Sequence, residues 1–408
     1  MKNNGLGFVL PLVVFLGGIG GGIVFPILPV LSLQFGLSAF FIGLIISANK
    51  ITRIFVNQFV GLVIDSFGGK TPLVCGLLLE SLGSIFYVIS LYICHGWLML
   101  AGRVIWGVGS AFVFISANTI ALNRSTRKNR GQFTAKVRIA LSLGVPAGLV
   151  IGGIFSSLFS NLTAFLLSVS ASFIGAFIVL VFFKEEKIEK FKASFKLKES
   201  FGFIIKNPDL AVISTGNLLT FFSVQGVVMA TLVIFLSFKH IFFFVNDARF
   251  SSGIAMSIMM VSSGLAGVIA SKIIDKLAIR SIIGFPAVAI VICGFILLGI
   301  ANTALDVLIA LIMIGVSVGI NNITLLSILG DFTTINQRGR AVGLYQLLGD
   351  IGGSLGPLFG IEIGIHCSFK VMYILTAVIF AFNLFVFGFA FLKEKKHKNE
   401  GNVEFDNR

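Results

Sequence analysis

Between residues 7 and 392 the chain returns again and again to apolar runs, each broken by a few charged or turn-forming residues. A helix needs about 20 apolar residues to cross a hydrocarbon core about 30 Å thick. Lipid offers no partner for backbone N–H and C=O groups, so only helices or a closed barrel can cross it. These runs lack the period-2 alternation of barrel strands and therefore read as helices. Their limits are 7–34, 39–64, 71–94, 97–122, 132–157, 162–183, 209–238, 251–274, 281–301, 305–330, 340–364 and 369–392, called spans 1 to 12 below. With 56% hydrophobic and 12% charged residues, the composition excludes a soluble domain. The fold class expected is an all-α integral membrane protein whose solvent is the lipid bilayer.

A net charge of +14 would suit a nucleic-acid partner, but its distribution excludes one. Lys50, Arg53 and Arg103 fall within spans, and Lys239, Arg249 and Lys370 fall at one side. The other Lys and Arg lie in or beside the loops on the side of the two termini. That asymmetry predicts a multi-pass protein of the cytoplasmic (inner) membrane with both termini in the cytoplasm. The start, "MKNNGLGFVLPLVV", reads as a retained first span. Cys75, Cys94, Cys293 and Cys367 have no CxxC spacing, and no metal cluster, nucleophile–base pair or phosphate loop appears. Neither an enzyme nor a cofactor is expected.

The polar stretch 184–208 divides the chain into an N-terminal half, 1–183, and a C-terminal half, 209–392, followed by a tail, 393–408. The halves repeat one another. Asp65 and Lys70 of "DSFGGK" match Asp275 and Arg280 of "DKLAIR". Arg130-Gly131 recurs as Arg338-Gly339, and "GVPAGLVIG" from Gly144 recurs as "GGSLGPLFG" from Gly352. Repeated six-helix units are the plan of transporters that rock one half against the other.

On these motifs the chain resembles the major facilitator superfamily, with two six-helix halves related by a pseudo-two-fold axis. "GLVIDSFGGK" is similar to that family's loop 2–3 signature, G-x-x-x-D-R-x-G-R-K, with Gly61, Asp65, Gly68 and Lys70 in place and two basic positions lost to Ser66 and Gly69. "RVIWGVGSA" resembles the span-4 signature around Arg103. "IGGGIVFPILP" and "GVPAGLVIGG" resemble the span-1 and span-5 signatures of twelve-span drug–proton antiporters, with Leu149 in a proline position. The resemblance implies that Asp65 meets the start of span 11 near Arg338, where a helix N-terminus carries about +0.5 charge. Asp275 would do the same at span 5 beside Arg130. Gly61, Asp65, Gly68, Lys70, Asp275, Arg280, Arg130 and Arg338 thus form the expected cytoplasmic gate.

Gly144, Gly148 and Gly152 share one face of span 5, as Gly352, Gly356 and Gly360 do on span 11. Small residues at that spacing let helices approach closely, and Pro146 and Pro357 are expected to kink the same helices. Charge inside the membrane marks function, so Lys50, Arg53, Glu80, Arg103 and Asp350 are candidates for proton coupling. Arg53, Glu80 and Asp350 lie about ten residues from the cytoplasmic ends, at similar depth. An Arg53–Asp350 pair is the expectation. Permanent structural pairing is the alternative, and for Arg103 the alternative is helix packing against backbone carbonyls. Spans 1, 4, 7 and 10 offer Phe25, Trp106, Asn118, Phe221, Phe222, Gln225, Asn321 and Asn322 to a substrate but no central acid. The function expected is proton-coupled efflux of a small organic molecule by a monomer, by alternating access. A facilitator or symporter importing a metabolite is the alternative, and a receptor or scaffold on the same fold comes third.

Overall fold

The computed structural model describes residues 6–124, 130–183, 207–333 and 337–406, so the expected linker lies almost wholly outside the described residues. Among them, regular structure is helical throughout. Eleven helices are long and apolar enough to cross a membrane. Span 11, Arg338–His366, is a continuous helix of 29 residues but carries Asp350, Glu362 and many glycines. It qualifies by length and not by apolarity.

The breaks between helices follow local chemistry. Ser38 accepts from the Phe41 N–H at 3.3 Å and starts span 2, Ala39–Phe67. Gly68, at φ +79°, ends it, a conformation that suits glycine because it has no Cβ. Ser160 caps span 6, Asn161–Phe182, by accepting from Thr163 N at 3.1 Å. Thr303 and Asp306 form a reciprocal capping box at the start of span 10, Ala304–Asp331. Span 1 is interrupted: Leu6–Ile23 and Leu28–Gln34 are separated by a turn at 24–27. Pro26 and Pro29 account for the interruption, since each removes a backbone donor. Pro146 and Pro357, by contrast, lie inside unbroken helices.

The chain divides into two compact units. The first holds residues 1–196 with 228–257 and 357–362; the second holds 197–227, 258–356 and 363–408. In the first, span 3 (Lys70–Ile93) packs on span 4 (Gly96–Arg124) and span 6, and span 1 packs on span 5 (Arg130–Leu158). In the second, span 9 (Arg280–Ile300) packs on span 10 and span 12 (Phe369–Lys396) in the same manner. The repeat seen in the sequence therefore recurs in the packing of equivalent helices.

The glycine faces explain the tightest contacts. A Cβ on Gly144 would meet the Phe15 carbonyl oxygen and the Gly18 Cα at 3.0 Å. One on Gly148 would meet the Ile19 oxygen and the Gly22 Cα at 2.8 Å; one on Gly152 would meet the Ile23 oxygen and the Ile23 Cα at 2.7 Å. The span-5 face is thus the seat of span 1. In the second unit Gly352 and Gly356 seat span 7 (Pro208–Lys239): a Cβ on Gly352 would meet the Leu218 oxygen, and one on Gly356 the Phe222 oxygen and the Gly226 Cα. Gly360 is buried on the same helix.

Candidate functional site

Among the buried polar side chains of the first unit are Arg103 and Glu80. Arg103, on span 4, is only 2% exposed. Glycines make room for it and its neighbours: a Cβ on Gly102 would lie 2.7 Å from the Tyr87 ring, and one on Gly21 would lie 2.7 Å from Trp106. Its Nε donates to the Ile45 carbonyl at 3.3 Å, and one terminal nitrogen donates to the Ile46 carbonyl at 3.0 Å and to Asn49 Oδ1 at 3.2 Å. The Phe25 ring lies 5.5 Å from its Cζ, presented there by the proline-driven break in span 1. The guanidinium therefore ties span 4 to span 2 through three oxygens, the helix-packing arrangement, with an aromatic face against it.

Glu80, on span 3, is also 2% exposed. Its Oε2 and the hydroxyl of Ser172 lie side by side, close enough for the hydroxyl to act on the carboxylate, though neither makes a hydrogen bond of full geometry among the described residues. The surroundings are small. A Cβ on Gly17 would come within 3.2 Å of Oε2, and one on Gly109 within 3.0 Å of Cγ. Next to it runs a chain of serines: Ser84 donates to the Glu80 carbonyl at 3.0 Å, Ser84 and Ser168 share a bond of 2.9 Å, and Ser168 donates to the Gly20 carbonyl at 2.9 Å. The acid is thus enclosed by residues of spans 1, 3, 4 and 6, where an uncompensated charge is costly.

The remaining intramembrane charges are placed as follows. Lys50 is buried on span 2, and Arg53 is half-buried, its Cζ 5.6 Å from the Phe114 ring. Asp350 is buried at 2% on span 11 and is not without interactions.

The second unit is built on amides. Asn217 donates to the Tyr345 carbonyl at 2.7 Å, and Asn321 donates to Thr220 Oγ1 at 2.7 Å. Both asparagines are fully buried, each with its Oδ1 unpartnered among the described residues. Directly after Thr220 the helix widens into a π-helical stretch, Phe221–Val228. Such widening is uncommon and concentrates at functional places. Phe222 and the residues after Gln225 are buried, Phe221 is half-buried, and Gln225 is exposed. Asn322 is half-buried with an unpartnered Oδ1. Asn118, also half-buried, donates back to the Phe114 carbonyl at 2.8 Å. Trp106 is half-buried with its indole N–H unpartnered among the described residues. The π-helical stretch carries no sequence signal, since "FFSVQGVV" is an ordinary apolar run.

At the gate, Arg130 and Arg338 lie outside the residues whose side chains are described. Gly61 lies within span 2, and Asp65 is half-buried near its end. Lys70 donates to the Leu180 carbonyl at 3.2 Å and so closes the end of span 6. Asp275 is exposed. Arg280 does more than its counterpart: it donates to Ser327 at 2.5 Å and pairs with Asp331 at 3.0 Å. Glu394 accepts from the backbone N–H of Arg280 and Ser281 and from the Ser281 hydroxyl, at 3.2, 3.1 and 2.6 Å. Lys393 pairs with Asp209 at 2.8 Å. Asp331 and Glu394 escaped sequence reasoning because their partner stands 51 and 114 residues away.

Comparison with known proteins agrees with this architecture. The family model of the Major Facilitator Superfamily matches residues 10–357 and 308–407. "Multidrug resistance protein 2" of Bacillus subtilis is 24% identical over 371 residues, covering 87% of this chain and 88% of that protein. "Multi-drug resistance efflux pump PmrA" of Streptococcus pneumoniae is 26% identical over 378 residues, covering 90% and 92%. The crystal structure of the nucleoside transporter NupG superposes with a TM-score of 0.75 at 18% identity, covering 97% of this chain and all of that one. A repeated six-helix plan, a glycine-seated span 5 and a family match along nearly the whole length lead to one conclusion: this multi-pass membrane chain belongs to the Major Facilitator Superfamily of transporters.

Proposed function

We propose that the protein exports small organic compounds from the cytoplasm in exchange for protons, as a monomer in the cytoplasmic membrane with both termini inside. The observation that carries the coupling is Glu80, an acid 2% exposed within the bundle with the Ser172 hydroxyl beside it. A proton held there neutralises the bundle interior, and its loss as the helices shift is the event that coupling requires. Asp350 is the second carrier candidate. Arg103 positions span 4 against span 2, and Lys50 and Arg53 add charge near by in sequence. The span-1 and span-5 antiporter signatures and the names of the curated relatives support the outward direction.

Substrate contact falls to Phe25, Trp106, Asn118, Phe221, Phe222, Gln225, Asn321 and Asn322. Gln225 leads because it is exposed on the π-helical stretch while its neighbours are buried. Four aromatic rings with four amides suit a neutral or weakly polar molecule with an apolar body. A facilitator or symporter importing a metabolite is the second reading, favoured by the lack of a central acid in spans 1 and 4.

The test uses energised inside-out vesicles containing the parent protein and a panel of fluorescent organic dyes. Uptake that collapses when the proton gradient is dissipated supports antiport. Dye movement indifferent to the gradient would overturn the coupling and leave the facilitator reading.

A further inference from the structure

We propose that Arg249, Asp247 and Asn161 form a clasp at the end of the bundle carrying loops 5–6 and 7–8, and that this clasp opens in every transport cycle. The clasp lies wholly within the first compact unit, yet it joins span 6 of the first sequence half to span 8 (Ala248–Ile274) of the second.

Its construction is specific. Asp247 precedes span 8 and caps it, accepting from the Arg249 N–H at 2.7 Å and the Phe250 N–H at 3.4 Å. The same carboxylate holds the Arg249 side chain, with contacts of 3.1 and 3.3 Å from Nε and 2.6 Å from a terminal nitrogen. The other terminal nitrogen reaches across to Asn161 Oδ1 at 2.7 Å. One turn further in, the backbones of spans 5 and 8 meet without side chains between them. A Cβ on Gly153 would lie 2.7 Å from the Arg249 carbonyl oxygen and 3.3 Å from the Gly253 Cα, and one on Gly253 would meet the Leu149 carbonyl.

This arrangement separates cheaply. The ion pair stays intact on span 8 when the helices part, so no unpaired charge is left behind. Among the described residues, the Arg249 hydrogen bond that reaches span 6 goes to a neutral amide, Asn161. The pair is 23% and 21% exposed, so water can replace that bond. The inference rests on the alternating access of the family and not on the direction or the coupling proposed above.

The experiment starts from a variant with Cys75, Cys94, Cys293 and Cys367 replaced by serine. Ser156→Cys then places one thiol on span 5, at a position 2% exposed and bonded to the Gly153 carbonyl. Labelling by a membrane-impermeant maleimide in right-side-out vesicles reads how often this end opens. Adding Asn161→Ala or Arg249→Gln should speed labelling about tenfold, the weight of one charge-assisted hydrogen bond. Arg249→Lys, which keeps the pair with Asp247, should fall between. Labelling of both variants at the parent rate would overturn the proposal. As a second arm, Asn161→Cys with Arg249→Cys is bridged by a short bis-methanethiosulfonate, each thiolate forming a mixed disulfide and expelling methanesulfinate. Labelling of the Ser156→Cys thiol is not available in that arm, so dye transport is followed. Bridging should stop transport and a reductant should restore it. Bridged protein transporting at the unbridged rate would also overturn the clasp. Should the parent move no dye at all, the efflux reading fails and the labelling arm alone decides the clasp.

Discussion

The first compact unit buries Arg103, Glu80 and Lys50, whereas the second buries Asp350 together with the amides Asn217 and Asn321. In the first, Arg103 is bonded to three oxygens and Glu80 is enclosed by glycines and serines. In the second, Asn217 and Asn321 hold spans 7, 10 and 11 together, and span 7 widens directly after Thr220. Both are built from the same helix pairs, spans 3, 4 and 6 in one and spans 9, 10 and 12 in the other. A duplicated scaffold can therefore keep its packing while its two interiors take different work. On the function proposed above, charge in the first serves coupling, and adaptable backbone with neutral polar groups in the second serves recognition.

The strongest way to break this comparison is to exchange the interiors' costs. Arg103→Ala strips the donors from Asn49 and two carbonyls and should destabilise the protein by about 3 kcal/mol. Thermal unfolding in detergent measures it. Asn321→Ala should cost only about 1–2 kcal/mol. Equal losses would mean that the charged interior is no more demanding than the amide one.

Deleting Val224 sharpens the second side. Removing one residue from a π-helical stretch returns it to the α-helical register. The protein should fold and keep its unfolding temperature, while dye transport falls at least about tenfold because Gln225 is turned away. Unchanged transport would remove the stretch from the mechanism.

A smaller effect follows from pH at Asp247. Burial pushes its carboxyl upward, but hydrogen bonds and charge from Arg249 outweigh burial and hold it below the usual carboxylate range. A folded-state value below the unfolded one contributes stability above the unfolded value, lost as pH falls through the folded one. Unfolding temperatures should therefore drop on acidification below the ordinary Asp range, and Arg249→Gln should flatten that drop. A drop of the same size in the variant would place its cause elsewhere.

The smallest difference is expected at the gate. Lys70→Ala removes one exposed bond to the Leu180 carbonyl and should cost about 0.5 kcal/mol, whereas Arg280→Ala breaks a network with Ser327 and Asp331 and should cost about 1 kcal/mol or more. Chemical denaturation reads both, and the reverse order would contradict the asymmetry drawn between the two loops.

The sequence made the spans legible because lipid forces a simple pattern on the letters. The glycine faces of spans 5 and 11 were legible for a similar reason: a four-residue spacing leaves no room for another reading of Gly144, Gly148 and Gly152. The break in span 1 falls at Pro26 and Pro29, residues whose missing backbone donors mark it in the letters. Span 7 did not announce its widening, since the hydrogen-bond register of an apolar run leaves no mark on residue type. Asp331, Glu394 and Asn161 stayed hidden because their partners are distant in the chain and nothing in a single sequence joins them. Asn321 reads equally well as a cavity residue or a packing residue until Thr220 is seen against it.

The central claim is that the first unit carries the coupling proton at Glu80. Purified protein in weakly buffered detergent solution, titrated with a transported compound, tests this most directly. The parent should release a proton on binding, while Glu80→Gln binds the compound and releases none. Proton release by Glu80→Gln equal to the parent's would contradict the account, and its loss in Asp350→Asn instead would move the carrier to the second unit.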